Sequence, residues 1–261
     1  MKRDDIGRWF ANRGVPWLLP ALLVLAWQWL AQSGWLSVKI LPAPTQVVAA
    51  AWQLVSNGEL FQHMSISFER AIMGFLIGGS LGFALGLANG VFRFAERLFD
   101  TTIQMIRNIP HLAMIPLVIL WFGIGEQAKL FLVSLGVLFP VYANTLHGIR
   151  NVDPGLLEMG KVYGLNAWHL FWKILLPGAL PSILVGVRYA LGIMWLTLIV
   201  AETIASDKGI GYMAMNAREF MQTDVVVLSI LLYALFGKLA DVIVKFVEKR
   251  WLRWHSVYQN L

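Results

Sequence analysis

Six apolar stretches, each long enough to cross a bilayer as a helix, constrain this chain more than anything else in it. They run over 15–32, 70–91, 102–122, 129–149, 180–203 and 224–246, and a helix needs about 20 mostly apolar residues to traverse the hydrocarbon core. That core offers no water to backbone amides, so each stretch must satisfy its own hydrogen bonds as a helix. Charge agrees: 14% of the 261 residues are charged and 58% are hydrophobic, whereas about a quarter of a soluble domain is charged. The expected fold class is all-α, a polytopic membrane protein with six transmembrane helices. Residues 1–14 form a cytoplasmic N-terminus, 15–246 a single transmembrane domain and 247–261 a cytoplasmic tail. The first stretch follows Lys2, Arg3, Arg8 and Arg13 and is longer than the apolar core of a signal peptide, so it reads as a retained span. Residues 45–56, behind Pro42 and Pro44, are too few to span and read as a helix lying on the surface.

Basic residues set the orientation. With the N-terminus inside, thirteen Lys and Arg fall on the cytoplasmic side, five (Lys39, Arg70, Lys129, Lys208, Arg218) fall outside, and Arg107, Arg188 and Lys238 lie within spans. That bias places both termini in the cytoplasm. It also accounts for the net charge of +6 without nucleic acid. The chain has no cysteine, which excludes disulfides, thiol nucleophiles and Cys-based zinc sites. Its five histidines (His63, His111, His147, His169, His255) lack metal-ligand spacing, so no metal is expected. No nucleophile–base motif marks a catalytic residue.

The second span carries Gly74, Gly78, Gly82, Gly86 and Gly90, one glycine every fourth residue. Small residues at this spacing let another backbone approach closely. A helix of the same chain is the expected neighbour, with a second subunit as the alternative.

Between the fourth and fifth spans lies the longest cytoplasmic loop, 151–181. Asp153 before Pro154 is a helix start, Gly164 a helix stop, and Asn166 a cap for a second short helix through Lys173. Pro177 and Pro181 are expected to separate this loop from the fifth span. Leu156, Leu157, Met159, Tyr163, Trp168 and Phe171 give the loop more apolar surface than water tolerates, so it must pack on the bundle, the lipid or a partner protein.

Glu158-Met159-Gly160, Gly164 and Ile174-Leu175-Leu176-Pro177 resemble the Glu-Ala-Ala loop of ABC importer permeases, with Met159 and Gly160 in place of the two alanines. The resemblance extends through Ile40-Leu41-Pro42-Ala43-Pro44, Arg107-Asn108-Ile109-Pro110, Trp121-Phe122-Gly123, Val200-Ala201-Glu202 and Gly209-Ile210-Gly211-Tyr212. It is closest to the nitrate, taurine and sulfonate branch. Met215 to Phe220 and the ending Trp251-Leu252-Arg253-Trp254 resemble its aliphatic sulfonate members.

The resemblance implies the MetI-like permease fold, a homodimeric pore in the bacterial inner membrane, a separate ABC ATPase subunit and a periplasmic substrate-binding protein. It implies that loop 153–181 is the ATPase coupling element, with Glu158, Gly164, Leu157, Tyr163 and Pro177 as its site residues. No Gly-x-x-x-x-Gly-Lys-Ser/Thr occurs, so ATP hydrolysis is expected of the partner, with no cofactor and no enzymatic activity in this chain. Arg107 and Arg188 are candidates for the substrate path, since a guanidinium fork suits an oxyanion; snorkelling toward the interface is the competing reading. Lys238 and Asp241 are expected to pair with each other along one helix face. An ion-coupled carrier would need internal repeats and midplane carboxylates, and a membrane enzyme a clustered set of acid, base or metal ligands. Neither pattern is present.

Overall fold

A computed structural model describes residues 3–37, 39–252 and 254. Eleven α-helices and two tighter or wider helical turns account for the described secondary structure. The chain divides into two compact units, Met1–His63 with Met213–Leu231, and Met64–Tyr212 with Leu232–Leu261.

In the first unit, α1 (Arg3–Gln32) is followed by α2 (Pro44–Ser56). Proline at the start of α2 supplies a preset φ where no N–H is needed. The Gln46 side chain accepts from the Ala43 amide at 2.9 Å and completes the cap. Gln28 of α1 accepts from the Thr45 amide and donates to the Thr45 hydroxyl, each at 3.2 Å, tying the two helices. The 45–56 stretch is thus a helix of its own, too short to span.

The second unit is organised around α3 (Glu59–Val91), α6 (Glu126–Arg150) and α9 (Leu176–Ala205). The glycine column of α3 lies against α6. A Cβ at Gly74 would come within 2.5 Å of Val133 Cγ1, one at Gly86 within 2.7 Å of the Tyr142 carbonyl, and one at Gly90 within 2.7 Å of Ile149 Cγ2. At Gly78 and Gly82 the added carbon would fall on the Ser134 and Leu138 carbonyls. Backbone meets backbone here, so the neighbour of the glycine face is a helix of the same chain. On its other side α6 packs against α9, where Gly186 sits against Pro140 and Asn144.

Among the described residues, four helices are long and apolar enough to cross a membrane: α3, α6, the continuous helix 167–204 that contains most of α9, and α11 (Thr223–Trp251). The apolar part of α1, Trp17–Gln32, is shorter. The stretch 102–122 departs from the expected straight span. It is divided between α4 (Arg93–Arg107), a 3₁₀ turn (His111–Met114) and α5 (Ile115–Phe122), with an 80° bend. Pro110 cannot donate to the preceding turn and biases Ile109 away from helix, and Pro116 restarts the helix at the beginning of α5. α4 itself is strongly amphipathic. Its Glu96 pairs with Arg150, and its Asp100 accepts from the Tyr142 hydroxyl at 2.8 Å, while Asn89 donates to the same hydroxyl at 2.8 Å. The expected tail 247–261 begins inside α11; Arg253 and residues 255–261 lie outside the described residues.

Candidate functional site

The loop after α6 folds from local signals. The Asp153 carboxylate accepts from the Gly155 amide at 2.8 Å and caps α7 (Pro154–Val162), with Pro154 at the first helical position. α7 ends at Gly164, whose φ of +76° is strained for any residue with a Cβ. The Gly164 amide bonds to the Lys161 carbonyl at 2.9 Å and the Leu165 amide to the Gly160 carbonyl at 3.0 Å, the paired bonds of a Schellman stop. Asn166 then caps α8 (Ala167–Leu170) through the His169 amide at 2.9 Å.

From α8 the chain does not break at the prolines. A π-helical turn, Phe171–Leu175, leads directly into α9, so Pro177 occupies its first turn and Pro181 lies inside it. The expected boundary at Pro181 is corrected accordingly. Because the helix is already running there, Pro177 leaves a carbonyl of the preceding turn without its usual donor. The wide turn upstream absorbs the remaining mismatch.

The two faces of α7 differ. Leu157 turns inward with Ile174, Leu175 and Leu176 onto the buried cluster of Ile149, Val152, Ala179 and Ile183. Gly160 is buried beside it, where a Cβ would lie 2.6 Å from Ile174 Cδ1. Gly160 thus gives Ile174 room that an alanine would contest. On the outer face Val162 is 86% exposed, Tyr163 79% and Trp168 67%. Leu156 and Met159 are exposed beside them, and Glu158 stands among them without an ion pair among the described residues. Trp168 and Trp172 contact edge to face, 5.5 Å between ring centroids. Pro177, Leu156, Met159, Lys173, Ile174, Gly178 and Trp254 line an adjoining depression of about 450 Å³. Leu157 supports this surface from below, and the apolar side chains above it have no cover among the described residues.

The two candidate path arginines separate. Arg188 of α9 is committed to α11, pairing with Glu248 and lying 3.4 Å from Asp241. Asp241 also takes Lys245 at 2.9 Å and Lys238 at 3.6 Å, so the expected Lys238 pair is one part of a larger cluster. Arg107 is exposed at the last position of α4 and has no hydrogen-bond or ion-pair partner among the described residues.

One cluster escaped the sequence reading. Glu202, 1% exposed near the end of α9, accepts from Ser67 Oγ at 2.8 and 2.9 Å, Arg70 Nη1 at 2.8 Å, the Gly211 amide at 2.9 Å and the Tyr233 hydroxyl at 3.0 Å. Arg70 also bonds Glu126, which in turn pairs with Lys129 at 3.0 Å. Arg70 and Lys129, two of the five basic residues assigned to the outer side, are both buried. The signal available was the Val200-Ala201-Glu202 and Gly209-Ile210-Gly211 pair: a Cβ on Gly209 or Gly211 would collide with Glu202, so these glycines let the backbone close over the carboxylate.

Residues 74–253 match the family described as the binding-protein-dependent transport system inner membrane component. The chain belongs to this family. It is thus a permease, the inner-membrane subunit of an ABC importer. It is 62% identical to the putative aliphatic sulfonates transport permease protein of Escherichia coli (strain K12), covering 94% of each chain. With the protein of the same description from Bacillus subtilis (strain 168) it shares 45% identity, over 93% of this chain and 88% of that one. The taurine transport system permease protein of Escherichia coli (strain K12) is 33% identical over 97% of this chain and 94% of its own length. Among solved structures, the MetNI methionine ABC transporter in its inward-facing conformation matches with a TM-score of 0.54 and 22% identity, over 75% of this chain and 96% of that chain. That likeness establishes a shared fold.

Proposed function

We propose that this permease carries small aliphatic sulfonates inward, working as two identical copies with a separate ATPase below and a periplasmic binding protein above. The observation that carries the substrate class is the 62% identity to the aliphatic sulfonate permease. Identity falls to 33% for the taurine permease and to 29% for the nitrate import permease protein of Leptolyngbya laminosa.

The exposed face of α7 and α8 is the proposed contact with the ATPase. Tyr163, Met159 and Trp168 supply apolar area, Glu158 a charged anchor, Gly164 the tight stop, and Pro177 the joint with α9. Leu157 acts from inside, holding α7 on the bundle. Closure of the ATPase pair then moves this element as a rigid piece, and the continuous helix from α8 into α9 carries the motion into the membrane. ATP binds the partner, and this chain holds no cofactor. The basic bias of thirteen against five supports this loop and both termini facing the cytoplasm.

The test is co-expression with a candidate ABC ATPase subunit, followed by capture of one on the other and sulfonate uptake. Glu158→Ala and Gly164→Pro are expected to abolish uptake and weaken capture while the permease still inserts. Unchanged uptake in both variants defeats the coupling assignment. A binding protein that prefers nitrate or taurine to alkanesulfonates defeats the substrate.

A further inference from the structure

The bend in the third apolar stretch ends its first helix on Arg107, which has no hydrogen-bond or ion-pair partner among the described residues. His111, the first residue of the 3₁₀ turn, reaches α9, where its Nε2 lies 3.0 Å from Thr197 Oγ1. Thr197 is fully buried. Gly136 of α6 closes on the same pair: a Cβ there would lie 2.9 Å from Thr197 Oγ1 and 3.3 Å from His111 Nε2. The bend is therefore pinned where α6 and α9 meet. Gly136 comes ten residues after the start of α6, and Thr197 eight before the end of α9. At 1.5 Å per residue these are about 15 Å and about 12 Å along the helix axes. In a hydrocarbon core about 30 Å thick, that is the middle.

Arg107 ends α4 four residues before His111, with Asn108, Ile109 and Pro110 between them. Its guanidinium is exposed and unpaired among the described residues, whereas Arg188 is already neutralised by Glu248 and Asp241. A charged side chain within four residues of that pinned turn is expensive if it faces lipid and is retained where it meets a watery path or an anion. A guanidinium presents several N–H donors in one plane, which suits the oxygens of a sulfonate.

We propose that the bend at Arg107–His111 is the point of anion selection in the translocation path. Arg107 binds the passing sulfonate oxygens, and the His111–Thr197 pair positions the turn that presents it. This assignment rests on the sulfonate-import reading above.

The test uses the full transporter, with ATPase and binding protein, in proteoliposomes loaded with ATP. Arg107→Gln is expected to lower ethanesulfonate uptake about tenfold or more, the loss of a charge-assisted contact, while hydrolysis stimulated by loaded binding protein continues. Arg107→Lys, which keeps the charge and loses the fork, is expected to fall between. Arg107→Gln with wild-type uptake overturns the assignment, as does a loss of uptake and hydrolysis in equal proportion, the mark of a purely structural role.

Because the chain has no cysteine, Asn108→Cys offers a second measurement that leaves Arg107 in place. A water-soluble thiol reagent is expected to label it, and ethanesulfonate with ATP to slow the labelling. A thiol that never reacts overturns the proposal even if the arginine variants fail to assemble. Wild-type transporter that takes up no alkanesulfonate fails differently: it removes the substrate reading, and this assignment falls with it.

Discussion

Glu202 illustrates what a single buried charge demands of its surroundings. Its two oxygens receive donors from α3, α11 and the first turn of α10 (Ile210–Glu219), so three parts of the chain are fixed against the end of α9. Desolvating a carboxylate is costly, and the cost is offset only when every lone pair is met. Removing the acid leaves Ser67 and Tyr233 without this acceptor and takes from Arg70 one of its two carboxylates, Glu126 remaining. Glu202→Ala is therefore expected to destabilise the permease by about 3 kcal/mol or more, seen as a lowered midpoint of thermal unfolding in detergent. If the variant melts like wild type, the carboxylate is not holding these segments.

Among elements, α3 and α6 show how spacing in a sequence becomes contact in space. The column Gly74 to Gly90 was readable as a close-packing face, and its neighbour needed only the choice between the same chain and another; the structure supplies α6. Overfilling such a seam costs about 1–3 kcal/mol. Gly82→Ala is expected to pay it, because the methyl falls on the Leu138 carbonyl, whereas Gly79→Ala, whose nearest atoms are 3.8 Å away, is expected to be neutral or mildly stabilising. Comparing the folded yields of the two variants checks this, and equal loss in both would mean the column is not the seam. The loop helices were readable for a different reason: Asp153, Gly164 and Asn166 act through their own backbone neighbours, so local sequence was enough. The bend at 108–110 was not seen because hydropathy averages over a window and the flanking residues are apolar. Pro110 and Pro116 carried the signal. Pro181 misled in the opposite direction, marking a boundary where the helix continues.

For the whole molecule, composition was sufficient to identify a membrane protein, because a surface with so few charges has no other stable solvent. The buried ionic cluster was not accessible in that way, since Ser67, Glu126, Glu202 and Tyr233 lie far apart in sequence and converge only through the packing of separate helices. Orientation belongs to this scale as well. A fluorescent protein fused to the C-terminus, of a kind that matures only in the cytoplasm, is expected to light up, and an exported phosphatase at the same position to stay inactive. The reverse pattern would invert the topology and put α7 beyond the reach of any ATPase.

The seam between α3 and α6 bears on how such a pore can move at all. Helices joined through side chains slip by exchanging one rotamer set for another, a notch at a time. Where carbonyls rest in the hollows left by missing side chains, there are no intermediate notches. The two helices are then bound to travel as one slab during transport, and whatever opens and shuts must do so along other boundaries.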